Sequence, residues 1–279
     1  MAGYFATGAH HISSKTRSSV RPDRAMPEGL IGPGEGEEDF VKRLDVQRKL
    51  CEESAFHSVA RYPEAVRLIR KRFLVSPLLI PVRKLRSGVS SRRMLPWEGA
   101  ISWVTARGAW VGLRTNLPRG YSEKELIAHE IVHALRASFD QPYFEEILAY
   151  GTSESRVRRF LGPLFSSPKD PYLFLFICSL AFLSVAIPSI FMLCKMGLLL
   201  YKQKMFARAK KQVFALFPGV PPEALLIRMT DAEIKRFARC DGIALREYVM
   251  SKGGSFRWRE LMKRIGEGEG CMDEKSKNG

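Results

Sequence analysis

The stretch Ser122–Ser153, SEKELIAHEIVHALRASFDQPYFEEILAYGTS, decides how the rest of the chain is read. Within it His129, Glu130 and His133 form a His-Glu-x-x-His pattern. Residues four apart on a helix share a face, so the two imidazoles can converge on one metal ion while Glu130 reaches toward a water held there. Leu126, Ile127, Ile131, Val132 and Leu135 supply the apolar side of that helix and predict that it is packed into a core. Ser122 followed by Glu125 matches Ser-x-x-Glu, which predicts a capping box at the helix start. Asp140-Gln141-Pro142 ends the helix, and a second one is expected from Pro142 or Tyr143. A short turn lets the two helices fold back on each other, bringing the region of Glu145 and Glu146 near the imidazoles.

Two imidazoles do not complete a catalytic zinc site, which takes three protein ligands and leaves a fourth position open. Glu145 and Glu146 are both candidates for the third ligand. Zn2+ in such a site lowers the pKa of water to around 7 and polarises a carbonyl, and Glu130 is then the natural general base. Histidine is scarce in this chain, yet two of its five histidines fall at the required spacing. His10, His11 and His57 are read as solvated or structural residues.

HEIVH followed by EEILA resembles the HExxH…ExxA arrangement of gluzincin-type zinc metallopeptidases. The resemblance implies a zincin-like α+β catalytic domain, a small β-sheet with the motif helix, that hydrolyses peptide bonds. It selects Glu146, with Ala149 as its small partner, as the third zinc ligand beside His129 and His133, and leaves Glu145 as the backup. It also implies that Glu130 is the catalytic general base and then carries the proton to the leaving amine. The likeness is confined to this stretch and departs from the family in two respects. The interval between His133 and Glu146 is short, and Tyr150 stands where several families carry an Asp that orients a zinc-bound histidine. That orienting role then either passes to Asp140, Glu145 or a backbone carbonyl or is absent from this chain. Tyr150 itself is open to two roles, stabilising an oxyanion as a catalytic residue or packing.

Upstream, residues 1–37 are rich in Gly, Ser, Pro and Arg without apolar periodicity, so a disordered arm is expected there. Helical spacing begins with Phe40, Val41, Leu44 and Leu50, and Pro63 opens a further helix through Val66, Ile69 and Phe73. The pattern then changes period. Leu78 to Val82 reads as a short strand, and Ala100–Thr105 with Ala109–Leu113 reads as a hairpin around Arg107-Gly108. The metallopeptidase-like unit is therefore placed at 38–165, with a sheet whose edge can pair with an extended peptide.

Downstream, no charged residue occurs from Tyr172 to Cys194. At ~1.5 Å per residue this run is long enough to cross the ~30 Å hydrocarbon layer, which predicts one transmembrane segment at 171–201, opened by Asp170-Pro171 and kinked at Pro188. A single-pass membrane protein is the expectation. Basic residues flank both ends, and the slight excess on the C-terminal side favours a cytoplasmic C-terminus. The opening MAGYFATGAHHISSKTRSSVRPDR lacks the apolar core of a signal peptide, which favours a cytoplasmic catalytic domain, and the latter reading is adopted. Residues 202–266 read as a basic helical region with Thr230 and Ser255 as N-caps, and 267–279 as a disordered tail.

Lys and Arg exceed Asp and Glu by 45 to 29, a formal charge of +16. That surplus points to anionic lipid rather than nucleic acid, because the basic residues Arg67, Arg70, Lys71 and Arg72 have no interleaved aromatics on which bases would stack. Five scattered cysteines offer no disulfide framework or zinc knuckle. The expected partners are a protein or peptide substrate at a membrane and anionic lipid; oligomeric state is not specified. The rival expectation is a membrane-tethered binding or scaffold protein whose metal motif is structural or inactive.

Overall fold

Alternating apolar residues in the middle of the chain build a four-stranded sheet. The computed structural model describes residues 29–85, 98–105, 108–117, 120, 122–165, 167, 169–182 and 184–263. The strands are β1 (His57–Ser58), β2 (Pro81–Leu85), β3 (Ala100–Thr105) and β4 (Gly108–Arg114), in the order β1-β2-β4-β3. β2 and β4 run parallel, and the other two pairs are antiparallel, with Ser102 opposite Val111 and Trp103 opposite Trp110. The hairpin expected at Ala100–Leu113 is thus present, and the strand expected at Leu78–Val82 lies slightly later, at Pro81–Leu85. The tip residues 106 and 107 lie outside the described residues, while Gly108 has φ +110°, a conformation that favours glycine.

Along β4 the period of two puts Ala109, Val111 and Leu113 on the buried face. Trp110 points to the opposite face, where it stacks on Trp103 at 5.7 Å between ring centroids. The buried face is covered by α3 (Glu123–Arg136), whose Ile127, Ile131, Val132 and Leu135 are almost wholly buried. Burial of each such side chain contributes about 1.5–3 kcal/mol relative to leaving it in water. α1 (Glu37–Glu52) reaches the sheet through Gln47, whose amide pairs with both the N–H and the carbonyl of Ala109. α2 (Pro63–Phe73) starts on Pro63 and buries Ala65, Val66, Ile69 and Phe73 in the same core.

The expected capping box at Ser122 is not formed. Ser122 occupies the N-cap position but its side chain makes no capping bond. Glu125 is drawn instead to the chain after the next helix, accepting hydrogen bonds from Ser153 Oγ, Glu154 N–H and Arg158. A long-range set of three donors outcompetes the single local one.

α4 (Glu145–Tyr150) and α5 (Arg156–Leu161) follow, then α6 (Asp170–Ser179) and α7 (Ala186–Leu216). Here the sequence expectation is corrected: among the described residues no helix is long and apolar enough to cross a membrane. The apolar run is broken into α6, a 3-10 turn at Leu180–Phe182, and the beginning of α7. The physical reason is Pro188. It has no N–H to donate four residues back, and its ring crowds the carbonyl there, which weakens a continuous helix at this point; Pro188 sits instead in the first turn of α7, where no such bond is lost. The two pieces form a helical hairpin, in which Phe174 stacks on Phe191. The single-pass topology at 171–201, and the assignment of the catalytic domain to the cytoplasmic side that rested on it, are therefore not supported.

α7 runs on without interruption past position 202, and its Met205, Phe206, Ala209 and Val213 enter the same core as α3. α8 (Pro222–Leu226), α9 (Asp231–Arg239), α10 (Gly242–Ser251) and α11 (256–263) close that core, with Trp258 fully buried. Thr230 caps α9 in a complete capping box with Glu233, and Ser255 Oγ accepts from Trp258 N–H at the start of α11.

Candidate metal centre

His129 projects from the middle of α3 and His133 from its last turn, four residues on, with the apolar side of the helix fixed on the sheet. After α3 the chain turns at Asp140, whose φ of +48° ends the helical path. The return of the chain is fixed from 88 residues away: the carboxylate of Asp231 accepts the Tyr143 N–H at 2.8 Å and also the Phe144 N–H. Arg136, almost fully buried at the end of α3, donates to the carbonyls of Ile227 and Met229. The C-terminal helices thereby hold the end of α3 and the start of α4 in register. At the other end of α4, Gly162 allows close packing, since a Cβ there would lie 2.3 Å from the Tyr150 ring.

This register brings Glu146 to face both imidazoles. His129 Nε2 and His133 Nε2 are 3.2 Å apart, and Glu146 lies 3.6 Å from the first and 3.5 Å from the second. The two distances reach different oxygens of Glu146, and one donor atom from each of His129, His133 and Glu146 lies within 4.8 Å of the others, so the donor set fits zinc in chemistry and comes near the ~3.3–3.5 Å separation that tetrahedral bonds of ~2.0–2.1 Å require. Glu145 is turned differently. Its carboxylate meets His133 Nδ1 at 2.6 Å, leaving Nε2 of that ring directed at the shared space. Of the three routes open for orienting a ligand histidine, the structure contains the Glu145 one. Tyr150 packs its ring edge-on against His129, with centroids 4.5 Å apart.

The electrostatics of the cluster follow from burial and from three carboxylates around two imidazoles. Burial, with the neighbouring His133, holds His129 well below its ordinary pKa. Burial pulls His133 the same way, but the hydrogen bond its Nδ1 donates to Glu145 and the charges of Glu146 and Glu130 outweigh it and raise that ring to about 9. Glu146 is pushed up to about 7 by desolvation, against the attraction of His133. Desolvation also raises Glu130, while His133 and the hydroxyl and N–H of Ser102 on β3 pull it back. A divalent cation is the complementary charge for such a cluster, since it favours the ionised carboxylates and the neutral imidazoles.

Sequence reasoning did not find Ser102 beside Glu130, nor Asp231 and Arg136 as the contacts that orient α4. Ser102 lies in a strand twenty-odd residues before the motif, and nothing in the spacing of an alternating strand marks one serine over another. Arg136 carried a readable signal, an arginine directly after Ala134 and Leu135 in the last turn of a helix whose apolar side is buried. No protein-family model, curated protein or solved structure matches the chain.

Proposed function

We propose that the protein is a zinc-dependent hydrolase of peptide bonds, with His129, His133 and Glu146 as the residues that would hold the ion. The observation that carries the reading is the convergence of those three donors while Glu145 fixes His133 from behind and Glu130 stands beside them. Bound there, the ion would supply a Lewis acid that acidifies water and polarises a carbonyl.

The chain's own residues account for the rest of the chemistry. Glu130 takes a proton from the attacking water as the new C–O bond forms, and returns it to the amine as the C–N bond breaks. β3 ends the sheet beside α3, with no described strand on its outer side, so an extended peptide can pair along it next to Ser102 and Glu130. Glu145 keeps the His133 ring in one orientation and sets its tautomer. The edge-on packing of Tyr150 against His129 supports a positioning role for that ring rather than oxyanion stabilisation.

The test is Glu130→Gln. The variant is expected to retain zinc at the parent stoichiometry by metal analysis and to lose hydrolysis of a peptide library by ~10²-fold or more. Undiminished turnover would remove the mechanism. Zinc bound by the parent with no turnover on any peptide would favour a binding protein with a structural metal.

A further inference from the structure

We infer that the hairpin formed by α6 and the start of α7 is a one-leaflet anchor that seats in an anionic lipid surface without crossing it. The inference is independent of the catalytic reading. Soluble proteins seldom expose contiguous apolar surface of this kind. Phe182 at the tip is 97% exposed, Val185 and Leu193 are each 72% exposed, and Phe176 is 62% exposed. The inner face, by contrast, is already filled by Phe165, Phe174 and Phe191, whose rings pack in series. The outward residues are therefore not awaiting an intramolecular partner.

Size and charge select the occupant. α6 has 10 residues, so the hairpin is ~15 Å tall, half of the ~30 Å hydrocarbon thickness. No charged side chain occurs from 171 to 194, and the base is closed by an ion pair between Asp170 and Lys195 at 2.8 Å. The 3-10 turn at the tip satisfies part of its backbone internally: Ser184 N–H donates to the Leu180 carbonyl, and Ser189 Oγ to that of Val185. Below the apolar portion the sign changes to basic. Lys169 and Lys204 are exposed, and Gln203 reaches the carbonyls of Arg159 and Phe160, which sets α5 with its exposed Arg156 against the same base. An apolar tip above a basic rim matches acyl chains above anionic headgroups. A second copy of this chain fits less well, because apposed tips would bring two basic rims of a molecule with charge +16 together.

The test is flotation of the full chain with vesicles of phosphatidylcholine alone and of phosphatidylcholine with phosphatidylglycerol. The parent is expected to float with the anionic vesicles. The tip variant Phe176→Asp/Phe182→Asp, made at exposed positions that leave the core alone, is expected to partition about tenfold or more weakly. The rim variant Lys169→Glu/Lys204→Glu and the neutral vesicles should each weaken binding several-fold. A membrane-impermeant amine reagent added outside should modify both Lys169 and Lys204 of vesicle-bound protein, read by mass spectrometry, as both flanks stay on one side and both side chains are exposed. Unchanged flotation of the tip variant, absence of flotation by the parent, or protection of one flank would each overturn the inference. A dimer in sedimentation velocity that the tip variant abolishes, without flotation, would assign the face to a second copy.

Discussion

Two glutamates, each in the first turn of a helix, Glu233 buried and Glu146 half-buried, have opposite environments. Glu233 of α9 accepts the Thr230 N–H at 2.7 Å, Arg257 at 2.6 Å, the Trp258 indole at 2.9 Å and the Tyr248 hydroxyl at 3.3 Å. Burial raises its pKa, but those donors, Arg257 foremost, outweigh it and hold the carboxyl below its ordinary value. Glu146 of α4 receives no hydrogen bond from any described residue and has only the two imidazoles beyond 3.4 Å. Desolvation prevails there and lifts it to about 7. The difference is one of satisfaction: the buried carboxylate of Glu233 has its lone pairs met and fixes the fold, whereas those of Glu146 are left facing two other donor groups, the arrangement on which the proposed metal site rests.

Removing Glu233 should have the largest effect on the fold. Glu233→Ala leaves the largely covered Arg257 guanidinium with the Arg228 carbonyl but no carboxylate, and strands the Trp258 indole N–H, so a loss of about 3 kcal/mol in urea unfolding is expected. Because the folded pKa is depressed, the parent holds this stabilisation above the ordinary carboxylate pKa and loses it as pH falls through the folded value. The stability of the variant should accordingly depend less on pH in the acid range. A loss below ~1 kcal/mol would mean that the four donors do not make Glu233 structural.

Glu145→Ala tests the division of labour between the adjacent carboxylates. Zinc affinity, measured by competition with a chelator, should weaken ~10- to 100-fold, the usual range for losing the residue behind a ligand histidine. Glu146→Gln should weaken it further. The reverse ranking would exchange the two roles.

The smallest effect is expected for Glu146→Gln on the stability of the metal-free protein. With no donor lost and a desolvated carboxylate made neutral, stability should change by no more than about 1 kcal/mol, in the stabilising direction at neutral pH. A loss comparable with that of Glu233→Ala would erase the contrast between the two sites.

Much of the fold was legible because it rests on local pattern. The alternation in Ala100–Thr105 and Ala109–Leu113, Pro63 at a helix start and Thr230 as an N-cap all match the elements formed. The errors arose where a local signal met a stronger competitor. Ser122 and Glu125 spell a capping box, but Glu125 is held by Ser153, Glu154 and Arg158. The run from Tyr172 to Cys194 has the hydropathy of a membrane span, yet one proline divides it into a hairpin. Hydropathy counts side chains, whereas helix continuity depends on an unbroken ladder of backbone donors.

The sequence by itself determined that His129 and His133 share a helix face and that Glu130 stands next to them, because 3.6 residues per turn leaves no alternative. It also determined that two carboxylates follow beyond a turn. Only the tertiary structure decided that Glu146 faces the imidazoles while Glu145 holds His133 from behind. Adjacent positions on a helix point about 100° apart, so that choice depends on how α4 is rotated against α3. The rotation is fixed by Asp231 on the backbone at 143 and 144, by Arg136 on the carbonyls at 227 and 229, and by the close approach of Gly162 to Tyr150. These are contacts between segments that no local spacing relates.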